Sequence, residues 1–288
     1  MKKMLLVSSL ITGCLLNLGT VFAQESDSTG LPGDHFSLQG AIEMFKKAGS
    51  PEEFEKLINT QSNNVNNLDL NGDGEIDYVK VIDKTEKDVH AFVLQVAVSE
   101  NENQDIAVLE LEKTGDATAV LQIVGDEDIY GEEIIIEASD GSKDNEDDDN
   151  QKMNGPAFNE DYFPPVIVNV WMWPSVRFIY RPAYIPWASP WRWRHYPTWW
   201  RPWRPSPWHV FHPLAIRYHP FCRVTRTHRV VVARRVYTPY RSTSVIVRTR
   251  NASAVKNYRV TRTTRTVTGP RGKKVKVTKT KVRRGRRG

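Results

Sequence analysis

The nonapeptide DLNGDGEID, residues 69–77, places an oxygen donor at every second position: Asp69, Asn71, Asp73, the carbonyl of Glu75, and Asp77. Hard oxygen ligands at that spacing wrap a calcium ion, and Gly74 permits the sharp turn such a loop needs. An EF-hand would close with a bidentate glutamate at the twelfth position, but Lys80 stands there, and residues 78–83 read as a strand instead of a helix. Two readings of the stretch remain: a weak extracellular calcium loop with Asp77 as its closing carboxylate, or an Asn/Asp/Gly-rich turn that needs no metal.

The first reading is similar to the D-x-[DN]-x-D-G-x-x-D calcium loops that lead into β-strands in other secreted proteins. A second set of potential ligands is His209-x-x-His212 followed by His219-x-x-Cys222, with zinc-like spacing. The region around it is densely basic and acid-free, and no regular element to present the pairs is evident, so zinc is the lesser reading. HPFCR, residues 219–223, superficially resembles the H-G-C-x-R core of L,D-transpeptidases. Its spacing and missing glycine exclude that chemistry, as does the lack of the upstream histidine motif. No acid/base pair or nucleophile constellation stands out elsewhere, and no enzyme is expected.

A third cluster is WRWRHYPTWWRPWRPSPWHVF, residues 191–211; all nine tryptophans of the chain fall between Trp171 and Trp208. Indoles favour the membrane headgroup zone and guanidinium forks pair with phosphates. Trp191, Arg192, Trp193, Arg194, Trp199, Trp200, Arg201, Trp203, Arg204 and Trp208 are therefore candidates for an anionic surface. Tryptophan and arginine also stack on one another, so the same residues could build a proline-rigid core with no partner. Over residues 187–208 the composition resembles the Trp/Arg/Pro-rich cationic host-defence peptides of the indolicidin type.

Charge sets the layout that must position these clusters. Residues 24–161 hold all 34 acids against nine lysines, a net of −25, whereas residues 162–288 hold 29 Lys and Arg and no acid. Such asymmetry implies a polyanionic partner, or one half binding the other. Within the acidic half, Leu38, Ala41, Ile42, Phe45 and Ala48 recur at helical spacing. Ser50-Pro51-Glu52-Glu53 then opens a second helix as a capping box. Short β-rich runs follow at 77–83, 89–98, 105–113, 118–124 and 133–137, separated by turn clusters too short for crossover helices. The predicted fold class is α+β: two N-terminal helices and an antiparallel meander of about five strands. A Trp/Pro/Arg-rich irregular or β segment and a disordered basic tail complete it.

The expected units are a signal peptide over 1–23, an acidic α+β domain over 24–138 and an acidic linker over 139–161. A Trp/Pro/Arg-rich segment follows over 162–222, with short strands at 166–173 and 176–180. The tail over 223–288, where Val and Thr alternate with Arg and Lys around the Gly269-Pro270-Arg271-Gly272 turn, is expected to be largely disordered. Lys2 and Lys3, an apolar run and Val21-Phe22-Ala23 mark an export signal cleaved after Ala23, and a lipoprotein acylated at Cys14 is the alternative. No later run is long and apolar enough to span a bilayer.

The motifs LDLNGDGEIDYVKV, VHAFVLQVAV, QDIAVLELEKTG, QIVGDEDIYGEE and VNVWMWPSVRFIYRPAY together resemble a family of exported bacterial envelope proteins, over residues 36 to about 240. The resemblance implies export to the periplasm or outer membrane and the two-part layout, and it brings no activity. Two function classes follow. One is an envelope-binding protein, with a calcium-stabilised acidic domain and a basic half that grips lipid A phosphates, anionic glycan or extracellular DNA. The other is a structural protein that self-associates, the acidic half of one chain against the basic half of the next.

Overall fold

The computed structural model describes residues 28–139 and 167–260, and the backbone of 262–268 and 274–280. The expected signal segment with Cys14, the linker beyond Ser139, and the Gly269–Gly272 turn lie outside the described residues.

Serines start the first two helices. The hydroxyl of Ser37 accepts the Gly40 amide at 2.9 Å and that of Ser50 accepts the Glu53 amide at 3.1 Å, each satisfying a donor that a helix N-terminus leaves free. Helix α1 spans Leu38–Lys47 and α2 spans Pro51–Ile58. The return bond of Glu53 goes to the Gly49 amide at 2.8 Å, one residue before the N-cap.

Six strands form one antiparallel sheet in chain order: β1 Val79–Glu86, β2 Val89–Ala97, β3 Asn103–Gly115, β4 Thr118–Gly125, β5 Ile134–Ala138 and β6 Cys222–Thr225. A short helix, α3 (Glu127–Tyr130), joins β4 to β5. Because side chains alternate along a strand, Phe92, Leu109, Ile123 and Ile136 align in one row across β2 to β5. That face packs on α1 and α2, with Phe45 between Phe54 (5.2 Å) and Phe92 (5.5 Å).

The opposite face carries the row Ala91, Glu110, Gln122, Glu137 and Arg223. Glu110, Gln122 and Glu137 are all buried, and the basic half buries them. After β6, His228 Nε2 donates to Glu110 at 2.6 Å. The Arg229 amide donates to Gln122 at 2.7 Å, and Gln122 donates in turn to the Thr227 carbonyl at 2.9 Å. Arg229 and Arg223 both reach Glu137. Helix α6 (Val231–Tyr237), which follows α4 (Pro174–Ile179) and α5 (Trp208–Ala215), then seats Ala233 and the preceding Val230 on Val89, Ala91 and Val108. Helix α7 spans Val245–Val260, and β7 (Arg262–Thr268) pairs antiparallel with β8 (Lys274–Thr280).

This arrangement corrects three expectations. The meander has six strands and not five, because the basic half contributes the last one. The stretch from Cys222 to Tyr258 is folded and not a free tail: buried acids of the sheet need cations, and this segment supplies them. Neither expected short strand forms: residues 167–173 are irregular and turn, and 174–179 are a helix, with Pro174 at the first helical turn, where its missing amide costs nothing. Trp171, Trp173, Val176 and Ile179 join the same core as α1, so the acidic and basic units share one interior.

Candidate functional site

The calcium-type loop lies between α2 and β1, and its oxygen side chains are turned onto its own amides. Asp69 accepts the amides of Gly72 (2.6 Å) and Gly74 (3.0 Å), Asn71 that of Asp73 (2.9 Å), and Asp73 that of Glu75 (2.9 Å). Asp77 accepts the Leu70 amide at 2.6 Å. Gly72 and Gly74 have φ of 72° and 85°, the left-handed region that glycine enters without a Cβ penalty. Burial, with the charges of Asp69 and Asp73 adding to it, pushes the Asp77 carboxyl up to about 7. Arg250 of α7 donates to the Asn71 carbonyl, and its guanidinium lies where any side chain at 72 would go. Among the described residues, no three Asp, Glu, His or Cys groups stand together as a metal site. The geometry is that of a self-capped turn with an arginine over it.

Beside this loop the tryptophan-rich segment is folded down onto the acidic half. The Ile76 amide donates to the Trp203 carbonyl at 2.8 Å, and Asn67 exchanges two 2.8 Å hydrogen bonds with the backbone of Ser206. The Trp200 ring is buried edge-on to Tyr78 (5.0 Å) and Tyr196 (4.6 Å). The anchor is Glu55, on the buried side of α2. Its Oε1 accepts the hydroxyls of Tyr78 (2.8 Å) and Ser189 (2.9 Å); its Oε2 accepts the Val81 amide (2.9 Å) and the Trp187 indole N–H (3.1 Å). Burial raises the Glu55 pKa, and those four donors oppose the rise.

Indoles and arginines therefore separate. Trp200 is buried; Trp191, Trp193, Trp203 and Trp208 are half-buried; only Trp199 of this group is exposed, at 45%. Arg192, Arg194, Arg201 and Arg204 are all exposed. Arg194 lies over the Trp193 ring, and Arg201 donates to the Thr198 and Trp200 carbonyls. None of the four has a carboxylate partner among the described residues. By contrast, Arg223, Arg229, Arg234, Arg235, Arg241 and Arg248 all meet acids of the sheet half.

The histidine–cysteine set is not assembled. His209 and His212 lie on α5, a helix the proline-rich sequence did not suggest, and His212 stacks on Trp208 at 4.5 Å. Burial, with His212 adding to it, lowers the His219 pKa. Cys222 opens β6 with its thiol toward the Gln39 carbonyl, and burial pushes it up to about 12. A buried thiol kept in its protonated form is not an activated nucleophile, and among the described residues it does not stand with two further ligands as a metal site.

Sequence reading missed Glu55, His228, Arg229 and Arg250. Glu110 and Glu137 did carry a signal, since each interrupts an apolar β run. No helix of the described residues is long and apolar enough to cross a membrane. The chain matches no family model, no curated protein and no solved structure.

Proposed function

We propose that this chain is an exported, envelope-associated protein that binds phosphate-bearing or otherwise anionic polymers through the outward arginines of its tryptophan platform. One observation carries the reading. Arg192, Arg194, Arg201 and Arg204 are exposed and have no carboxylate partner among the described residues, on a segment rigidified by prolines and anchored indoles, while Arg223, Arg229 and Arg241 are committed to buried acids of the sheet half. A preorganised guanidinium array loses little conformational freedom on binding and matches phosphate geometry. Export and the choice of envelope surface follow from the N-terminal segment and the family resemblance. The alternative, head-to-tail assembly through opposite halves, is disfavoured because Glu110, Asp126 and Glu137 already have partners within the chain.

Calcium is a second element of the proposal. Asp69, Asn71, Asp73 and Asp77 would have to exchange loop amides for the ion, with the Glu75 carbonyl completing the set. Support comes from the oxygen-donor spacing of the loop and from Asp77, which burial, with the charges of Asp69 and Asp73 adding to it, raises. A thermal midpoint at millimolar calcium identical to that in chelator would remove this element and leave the arginine platform standing.

The experiment is binding of heparin, duplex DNA and lipopolysaccharide vesicles by the chain and by a variant with all four arginines changed to alanine. Each phosphate contact releases counterions, so on duplex DNA the slope of log affinity against log salt should shrink by about 0.9 per lost contact. Tryptophan emission should shift little on binding, because most of the indoles already pack on the protein. Unchanged affinity and salt slope in the folded variant would sink the proposal.

A further inference from the structure

Away from the platform, the seam between the second sheet face and α6 encloses a cavity of about 290 Å³. Val108 and Val124 form its apolar floor, Glu110 and Tyr237 line its walls, and Glu133 and Arg234 reach it from an exposed rim. Glu110 is only 2% exposed. Its Oε2 takes the His228 ring at 2.6 Å, while its Oε1 has no hydrogen-bond partner among the described residues. Yet Oε1 is not sealed from solvent, so in this cavity-lining residue it opens onto the cavity.

The lining is net negative. Glu110, Asp126, Glu127 and Glu133 face His228, Arg234 and Arg241. Arg241 pairs chiefly with Asp126 (2.7 Å) and Asp128 (3.3 Å) and more loosely with Glu127 (3.8 Å). Arg234 pairs with Glu133 (3.3 Å) at the exposed rim, where a ligand ammonium competes with a solvated arginine. A solvent-open carboxylate oxygen with no protein donor among the described residues is free to accept from a ligand, and a cation is the natural complement of this acidic lining. A metal ion does not fit: it needs several oxygen or nitrogen ligands at once, and no three converge among the described residues. An ammonium group needs only acceptors within hydrogen-bond reach. The cavity is also at the small end of the roughly 300–1,000 Å³ usual for ligand pockets.

The geometry points to this cavity as a binding site for a small organic ammonium ion, a short aliphatic diamine best of all. One ammonium donates to Glu110 Oε1, the methylenes lie on Val108, Val124 and the Tyr237 ring, and the other end meets Glu133 and Glu127 at the rim. Burial raises the Glu110 pKa, and a cation beside it offsets that penalty, which deepens the preference for a positive ligand. The inference stands apart from the arginine platform and shares no residue with it.

The test is calorimetric titration of the full chain with putrescine, n-propylammonium, acetate and calcium chloride. Putrescine should bind saturably, propylammonium more weakly, and acetate and calcium should give no signal that depends on Glu110. Glu110→Gln should weaken putrescine about ten-fold or more, with the fold checked by circular dichroism. Val124→Phe, which fills the floor and leaves Glu110 intact, should also abolish binding and decides the matter if the first variant does not fold. Absence of saturable putrescine binding overturns the inference, as does binding that survives Val124→Phe, or acetate binding as tightly as the amines.

Discussion

Replacing Glu55 separates its charge from its hydrogen-bonding pattern, because the two oxygens serve different kinds of donor. Oε2 holds two obligate N–H groups, Val81 and the Trp187 indole, whereas Oε1 holds two hydroxyls, Tyr78 and Ser189. Hydroxyls rotate and can accept as well as donate. In Glu55→Gln the amide oxygen can keep both N–H groups while the NH₂ donates to the hydroxyls, so the cost should be within about 1 kcal/mol. Glu55→Ala strands both N–H donors in a closed site, at about 1–3 kcal/mol each, or about 2–6 kcal/mol together. The two variants should therefore differ by several kcal/mol in urea unfolding followed by far-ultraviolet circular dichroism. Alanine should also loosen the platform and red-shift tryptophan emission before global unfolding. The pH dependence has a definite sign. Burial raises the folded pKa of Glu55 above its unfolded value, so the folded state holds the proton more tightly. The stability contribution of this group is therefore largest below the ordinary glutamate range and falls as pH rises through the folded pKa. Glu55→Gln should flatten that part of the stability–pH curve relative to the unmodified chain. Glutamine as harmful as alanine, or alanine within about 1 kcal/mol of the parent, would refute the assignment of roles to the two oxygens.

Two further outcomes test the seam between the halves. Arg229→Met leaves Glu137 buried with Arg223 as its remaining cation and should destabilise by about 2–4 kcal/mol in the same unfolding assay; a loss below about 0.5 kcal/mol would mean the pair is solvated. Cys222, with its pKa up from 9.0 to about 12, should carry about a thousandfold less thiolate in the folded chain and react correspondingly slowly with a disulfide reagent near pH 8. Equal labelling rates before and after denaturation would show the thiol to be open.

Much of the sheet was legible because short apolar runs bounded by turn clusters are local properties. The runs at 89–98 and 118–124 differ from β2 and β4 by one residue, since each is a near-continuous β-rich stretch between turn residues. The Ser50 cap was equally readable from the four-residue motif Ser50-Pro51-Glu52-Glu53, whereas the Ser37 cap was not read from the sequence. The charge boundary at 161 was visible, with the two outcomes it allows, a polyanionic partner or one half binding the other; that Glu110 and Glu137 are buried and need cations is a finding of the structure.

What no local pattern contains is the identity of those partners. His228 and Arg229 lie more than ninety residues from the acids they meet, in a segment whose Val/Thr/Arg alternation reads the same whether it lies on a polyanion, in solvent or on the sheet. Only the closed sheet edge at β5 decides among these, because β6 satisfies its unpaired amides and carbonyls while placing the arginines over Glu137. The same holds for the tryptophans. Composition put indoles and arginines side by side, but the hydrogen bonds from Glu55, Asn67 and Ile76 turn the rings inward and leave Arg192, Arg194, Arg201 and Arg204 facing water. Sequence determined which residues could bind an anion; tertiary structure decided which of them are free to do so, because a guanidinium already neutralised by a buried carboxylate has no charge left to offer.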